Sequence, residues 1–218
     1  MPTIDFKGKN IIWNYHLTVP YHTLEEIAEL NLNIGNSNEN LLIEGDNLLA
    51  LKSLLPQYSG RIKLIYIDPP YNTGVNNGIW IYSDDVNSPL FSSWFKKVID
   101  INDLARHDKW LCMMVPRLRL LRELLSEDGV IFISIDDHEF SNLRIICDQI
   151  FLEENRIDRG SLVWLNKGST KGFTKIVKNH EYILAYAKDI SKVKSLYGLN
   201  HPEELTPIEE RLIIKRGP

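Results

Sequence analysis

The chain has 218 residues and a formal net charge of −4 at pH 7, and 44% of its residues are hydrophobic and 25% charged. These values are typical of a folded globular protein, and they argue against one that binds polyanions through its overall charge. The apolar runs are too short to span a membrane, and the first ten residues lack a signal-peptide pattern. The only cysteines, Cys112 and Cys147, lie in separate apolar segments. We therefore expect a cytoplasmic protein with buried, reduced cysteines and neither a disulfide nor a zinc site.

The N-terminal part of the sequence predicts one strand and two helices. A short helix is expected over residues 23–30, within an otherwise polar region. Residues 41–44 are apolar and predict a buried strand. Asp46 or Asn47 would cap the helix that follows, because a side-chain oxygen there can accept from free backbone N–H groups. Leucines at helical spacing mark the buried face of that helix, and Pro56 is expected to end it.

Farther along the chain, predicted strands alternate with helices. Apolar runs predict strands over residues 63–67, 130–135, 161–165 and 180–188. Helices are predicted over residues 92–107, 109–126 (with a kink at Pro116), 136–151 and 201–218, a long loop over 72–90, and a turn at 128–129. The last two strands are expected to be antiparallel around the loop that joins them. The alternation predicts an α/β fold, a mostly parallel sheet with helices on both faces.

Acidic residues follow three of the predicted strands. These residues are Asp46, Asp68 and the pair Asp136 and Asp137. Ligands of open α/β sheets bind outside the carboxyl ends of the strands. The acids therefore mark the edge of the sheet at which a site is expected.

Asp68 differs from the other acids because Pro69, Pro70 and Tyr71 follow it in the stretch "LIYIDPPYNTG". Proline has a fixed φ and no N–H, so the carbonyls of Asp68 and Pro69 can be held toward a cleft. A carboxylate and a carbonyl side by side can accept both hydrogens of an exocyclic amine such as adenine N6. They would favour a pyramidal nitrogen and stabilise the positive charge that develops on it during methylation. An aromatic face such as Tyr71 can stack on a base that has left the duplex.

This stretch resembles the catalytic motif of DNA amino-methyltransferases. The longer segment "NLLIEGDNLLALKSLLPQYSGRIKLIYIDPPYNTG" resembles the β class of adenine-N6 methyltransferases, especially the Mod subunits of type III restriction-modification systems. "LLSEDGVIFISIDDHEFSNLRIICDQIF" and "HEYILAYAK" are similar to the middle motifs of that family. The resemblance covers the chain from about Leu41 to Lys188.

The resemblance implies a Rossmann-like methyltransferase fold that uses S-adenosylmethionine to methylate adenine N6 in double-stranded DNA. The implied catalytic residues are Asp68, Pro69, Pro70 and Tyr71. Asp68 would also lie near the ammonium group of the donor. Asp46 would face the adenosine of the donor, or it serves only as a helix cap. Asn72 and Thr73 are expected at the mouth of the pocket, in contact with DNA.

The family also implies partners and alternative targets. A restriction subunit and a second methyltransferase subunit are expected partners of a Mod-like protein. Aspartate at position 68 favours adenine, since cytosine-N4 enzymes more often carry serine there and enzymes that modify protein glutamine carry asparagine. Cytosine N4, RNA and glutamine in a protein nevertheless stay open as alternatives.

The segment from Asn155 to His180 is a candidate DNA contact. It carries six basic residues against the single acid Asp158, a net charge of +5. Glycine, serine and threonine lie between the charges, together with Trp164, a pattern that suits a loop touching phosphates. Lys167, Lys171 and Lys175 are the predicted phosphate contacts. The alternative is an ordinary solvated face.

The stretch "SIDDHE", residues 134–139, has the residue types of a metal site but not the spacing. Consecutive residues of a helix do not face one point. We therefore expect no metal, and assign Asp136, Asp137, His138 and Glu139 to capping and solvated charge.

The glycine-rich cofactor turn of the family has no counterpart, since no two of the 12 glycines lie two residues apart. We therefore expect a methyltransferase domain that is incomplete at its C-terminus. The predicted division is an N-terminal extension over 1–40, a partial catalytic domain over 41–188 and a helical segment over 189–218. A non-catalytic fragment that binds DNA or needs a partner chain is the alternative function.

Overall fold

The computed structural model describes residues 2–28, 40–73, 105–157, 161–165 and 179–193. The helices are α1 (Lys9–Ile12), α2 (Tyr15–Thr18), α3 (Asn47–Tyr58), α4 (Arg106–Leu124) and α5 (Phe140–Phe151). The strands are β1 (Ile62–Ile67), β2 (Leu125–Ile135), β3 (Leu162–Leu165) and β4 (His180–Ala187). Two short 3₁₀ turns, Glu153–Asn155 and Ile190–Lys192, complete the described elements.

The four strands form one sheet in the order β1-β2-β4-β3. β1 and β2 are parallel, with Ile65 opposite Ile131. β4 is antiparallel to β2 and to β3, with Ile133 opposite Leu184. The α/β class and the antiparallel last pair of strands are confirmed. The described part of the sheet is mixed rather than mostly parallel, because β4 enters it antiparallel to β2.

The core lies on one face of this sheet. Ile131, Ile133 and Ile135 project from β2 on the same side, are fully buried and join a single cluster with the helices. The cluster takes in most of α4, whose buried residues lie all around its axis. Leu64 and Tyr66 project from the opposite face of β1 and are exposed. The described helices thus share a core with one face of the sheet. That helices also cover the other face of the sheet stays a prediction.

The N-terminal residues contribute to this same core. Phe6, Ile12 and Val19 are buried members of the cluster. The ammonium group of Lys52 in α3 donates to the His16 carbonyl at 2.8 Å, and Cys112 of α4 approaches the Lys7 carbonyl at 3.4 Å. Residues before position 40 therefore pack against α3 and α4. The domain boundary predicted at residue 40 stays a prediction.

Two predicted elements at the N-terminal side are absent. The helix predicted over residues 23–30 is wrong where the structure describes it, because residues 21–27 are irregular and Leu24 and Ile27 are exposed. The strand predicted over residues 41–44 is also wrong, and Leu42 there is 100% exposed. A short helix needs an apolar face that packs, and a strand needs a partner for its backbone groups. Neither segment has this support in the described structure.

Three predicted boundaries shift. The helix α3 continues through Pro56 to Tyr58, since one missing N–H in the last turn does not stop it. The helix α4 begins at Arg106, so the predicted break near residue 108 is wrong. β2 begins at Leu125, and the predicted turn at Gly129 is instead an irregularity in its pairing with β1. A Cβ at Gly129 would lie 2.6 Å from the Ile62 carbonyl oxygen, which explains why glycine is needed there.

Both cysteines are buried and free, as predicted. Burial raises the pKa of both thiols, so they stay protonated. The predicted helices over 92–104 and 201–218 and the loop over 74–90 lie outside the described residues.

Candidate active site

The Asp-Pro-Pro-Tyr motif directly follows β1, at the carboxyl end of the sheet. Asp68 is exposed, Pro69 is buried and Pro70 is half-buried. β1 ends beside the end of β2, as the pairing of Ile67 with Ile133 shows. The geometry therefore presents an accessible carboxylate above a rigid, partly buried backbone.

Trp110 of α4 fixes the second proline of the motif. Its indole Nε1 donates to the Pro70 carbonyl oxygen at 2.6 Å, and its side chain is fully buried. Nothing in the sequence indicated this hydrogen bond, since 40 residues separate the two groups.

Tyr71 lies between two carboxylates. Its hydroxyl donates toward Glu181 Oε2 of β4 at 3.4 Å. Burial, followed by a hydrogen bond with Asp68, raises the pKa of Tyr71 well above its usual value. The phenol therefore stays neutral and acts as a donor, not as a base. Glu181 was missed at the sequence level because β4 is 110 residues away in the chain.

Asn72 continues the motif into the body of the protein. Its backbone is left-handed, with φ of 57°, and the residue is 3% exposed. Its amide donates to Glu139 Oε1 and, at 3.4 Å, to the Arg106 carbonyl. Burial does not favour the predicted contact of Asn72 with DNA in this conformation. Thr73 is half-buried at the end of the described segment, and its contact with DNA stays a prediction.

Asp46 has the cap geometry. Its carboxylate accepts from the Leu48 N–H at 2.8 Å, and the guanidinium of Arg117 lies 3.8 Å away. Of the two predicted roles, the cap is confirmed. The contact of Asp46 with a donor molecule stays a prediction, and the side chain retains partial exposure for it.

The acidic stretch after β2 divides into two environments. Asp136 caps its own turn by accepting from the His138 N–H at 2.9 Å, as predicted. Glu139 is 0% exposed, so its predicted assignment to solvated charge is wrong. Within the described ranges no three His, Cys, Asp or Glu side chains come together as metal ligands.

The basic segment is only partly described. Arg156 forms a buried ion pair with Asp148, with two nitrogen–oxygen distances of 2.7 and 2.8 Å, so it does not face a ligand. Trp164 is exposed on β3, which leaves it free to meet a partner. Lys167, Lys171 and Lys175 lie outside the described residues.

A family model for N6/N4 methyltransferases, described as DNA methylase, matches residues 62–212. The match includes β1, the motif at Asp68 and the three remaining strands. The chain belongs to the DNA methylase family. The α/β fold with its mixed sheet agrees with the Rossmann-like methyltransferase fold that the resemblance implied.

Individual relatives agree with this assignment. The Mod subunit of the type III enzyme EcoP15I from Escherichia coli is 39% identical over 177 residues, which cover 76% of this chain and 27% of the relative. The EcoPI Mod subunit from Escherichia phage P1 is 38% identical over 71% of this chain and 25% of its own. The type II methyltransferase M.KpnI from Klebsiella pneumoniae is 37% identical over 77% of this chain and 38% of its own. The predicted resemblance to Mod subunits is confirmed.

The chain spans about a quarter of the length of the Mod subunits that it matches. Among solved structures, the PvuII DNA methyltransferase (cytosine-N4-specific) aligns with 65% of this chain and 47% of its own, at 11% identity and a TM-score of 0.42. That likeness is too weak to support a conclusion. No helix in the described part of the chain has the length and apolarity needed to cross a membrane.

Proposed function

We propose that this methylase transfers a methyl group from S-adenosylmethionine to the N6 amine of a flipped-out adenine in DNA, as part of a restriction-modification system. The observation that carries the proposal is the exposed Asp68 carboxylate at the end of β1, on a backbone held by Trp110. Membership in the DNA methylase family supports the same chemistry.

The roles of the motif residues follow from their positions. The Asp68 carboxylate and the Pro69 carbonyl accept the two amine hydrogens and orient the nitrogen lone pair toward the methyl group. Asp68 and Glu181, which share the Tyr71 hydroxyl, keep negative charge where the amine becomes positive. The surplus proton then leaves the nitrogen for water. Tyr71 offers its ring to the base.

The residues at this edge also fit the donor. An exposed carboxylate suits the ammonium group of S-adenosylmethionine, and Asp68 provides one. Asp46, partly exposed at the start of α3, suits a hydroxyl of the adenosine. When bound, S-adenosylmethionine supplies an electrophilic methyl group.

The proposed partners are double-stranded DNA, a restriction subunit and a second methyltransferase subunit. The type III relatives support the DNA substrate and the restriction subunit, because their names place them in restriction-modification enzymes as Mod subunits. Lys167, Lys171, Lys175 and Thr73 are the proposed DNA contacts. The cytoplasm, where DNA is accessible, stays the predicted compartment.

The test is transfer of tritium from labelled S-adenosylmethionine to DNA, followed by digestion to nucleosides. We expect label in N6-methyl-2′-deoxyadenosine, and a loss of at least about 100-fold in rate for Asp68→Ala. Label in N4-methyl-2′-deoxycytidine would instead identify cytosine N4 as the target. Transfer that survives in Asp68→Ala would refute the role of Asp68. Methylation that appears only after a partner chain is added would favour the partner-dependent alternative.

A further inference from the structure

Glu139 is a fully buried carboxylate with three side-chain donors from three parts of the chain. His107 Nδ1 donates to Oε1 at 2.6 Å, and Asn142 Nδ2 donates to Oε2 at 2.8 Å. The amide of Asn72 also donates to Oε1. His107 lies at the start of α4, Asn142 lies in α5, and Asn72 directly follows the catalytic motif. The carboxylate therefore joins two helices to the motif.

The position of Glu139 in the chain suggests a simpler role, which the geometry excludes. Glu139 immediately precedes α5, where a carboxylate ordinarily accepts from the free N–H groups of its own helix. Its side chain makes no such cap bond. Both of its oxygens are directed to side chains, and Oε1 is shared by the motif and α4.

The cost of burial indicates that this arrangement is maintained for a reason other than helix capping. A buried carboxylate is expensive unless charge-assisted hydrogen bonds satisfy it. The three donors satisfy it here. Two of the three, Asn72 and His107, belong to segments that meet at the active-site edge.

Asn72 is the residue through which Glu139 can act on the site. Its φ of 57° is left-handed, a conformation that asparagine tolerates when a local hydrogen bond holds it. Tyr71 precedes it directly, so the backbone turn at Asn72 sets where the Tyr71 ring and hydroxyl lie. A loose Asn72 would release the ring from the Asp68 and Glu181 carboxylates.

We propose that Glu139 is a positioning residue for the catalytic motif: through Asn72 it holds Tyr71 and the motif backbone in the arrangement that receives the target base. The role in base methylation rests on the proposed function. The link between Glu139 and the motif is tested separately from methylation, so that the positioning role and the proposed function can fail independently.

The first measurement is hydrogen–deuterium exchange of the 218-residue chain, read on peptides that cover residues 68–73. Pro69 and Pro70 have no amide, so the signal reports Asp68, Tyr71, Asn72 and Thr73. Glu139→Ala should speed this exchange at least about tenfold, because a charged hydrogen-bond acceptor is lost. Asn142→Ala is the matched control. It removes the third donor but leaves Asn72 bonded, so exchange over 68–73 should stay within about twofold of wild type.

Two further variants keep the test decisive if Glu139→Ala does not fold. Glu139→Gln keeps the shape and one acceptor oxygen, and should give a smaller acceleration of the same segment. Asn72→Gly keeps the left-handed backbone but removes the amide, and should accelerate exchange as Glu139→Ala does. The double variant Glu139→Gln/Asn72→Gly should exchange no faster than Asn72→Gly, because both changes break one link.

Exchange of the α5 amides serves as the internal standard, because a general loss of structure would accelerate exchange in α5 and over residues 68–73 equally. Unchanged exchange over 68–73 in folded Glu139→Gln and Asn72→Gly would overturn the proposal, and so would equal acceleration of α5.

The second measurement is steady-state methylation with the same variants. Glu139→Gln should lower kcat with little change in the KM for S-adenosylmethionine, and Asn142→Ala should match wild type. A kcat for Glu139→Gln equal to wild type would overturn the positioning role in catalysis. A wild-type chain without transfer would count against the proposed function, while the exchange result still decides whether Glu139 holds the motif.

Discussion

Replacement of Arg156 by alanine tests whether this arginine belongs to the core or to a DNA-binding surface. Arg156 makes two bonds of 2.7 and 2.8 Å to Asp148, whose carboxylate also accepts from the Tyr186 hydroxyl at 2.7 Å. Asp148 is 3% exposed. Without the guanidinium, a buried carboxylate keeps only the tyrosine as a described side-chain donor. Loss of one partner of a buried ion pair costs about 3–5 kcal/mol.

A loss of that size is easily measured. A chain of this length loses about 2–4 °C in Tm for each kcal/mol, so Arg156→Ala should melt about 6–20 °C below wild type. Urea denaturation should give the same change in the free energy of unfolding. Arg61→Ala, at an exposed arginine, is the matched control and should change stability by no more than about 0.5 kcal/mol.

The double variant Arg156→Leu/Asp148→Leu should recover a large part of the stability, because no charge is then left unpaired. DNA affinity of folded Arg156→Ala, measured below its melting range, should show the wild-type salt dependence. A loss of stability below about 1 kcal/mol together with a weaker salt dependence would refute the buried pair and return Arg156 to the DNA-binding surface.

Three other predictions concern separate parts of the molecule. Trp110→Phe removes the donor to the Pro70 carbonyl and part of a fully buried ring. The change should cost roughly 1–3 kcal/mol of unfolding free energy in urea denaturation and lower kcat for methylation. Wild-type values of both quantities would show that the hydrogen bond is unimportant. Burial, then the charges of Arg119 and Lys52, lowers the pKa of His16 to about 4 from 6.5. The folded state therefore favours neutral His16. The stability that this preference contributes is fully present above pH 6.5 and is lost as the pH falls toward 4. Roughly 2–3 kcal/mol of the acid destabilisation should be absent in His16→Gln, and identical pH profiles would contradict this assignment. Neutralising Lys167, Lys171 and Lys175 together should lower the salt slope of DNA binding by about 2–3, and an unchanged slope would mean that they form a solvated face.

Local patterns in the sequence identified the parts of the site that are contiguous. β1 is an apolar run with the motif attached to its end, so both the strand and the position of Asp68 followed from adjacent residues. The helix cap at Asp46 was recognised for the same reason. Such features need no knowledge of the rest of the fold.

The remaining parts of the site depend on distant contacts. Trp110 meets Pro70 across 40 residues, and Glu139 meets Asn72 across 67. The sequence around Glu139 shows only an acid before a helix, which is typical of a solvated cap. Its burial is decided by where α4 and the motif lie. The strand predicted from the apolar run at residues 41–44 was wrong for the converse reason, because a strand forms only where a neighbouring strand can pair with it.

The most direct measurement is calorimetric titration of S-adenosylmethionine into the 218-residue chain, with Asp68→Ala and Asp136→Asn beside it. Asp136 also follows a strand of the sheet but is engaged with its own turn, which makes it the matched control. A donor site at the end of β1 predicts binding to wild type and to Asp136→Asn, and at least a tenfold weaker affinity for Asp68→Ala. Equal affinity of Asp68→Ala and wild type, or a folded wild-type chain without measurable binding, would contradict a donor site built on Asp68.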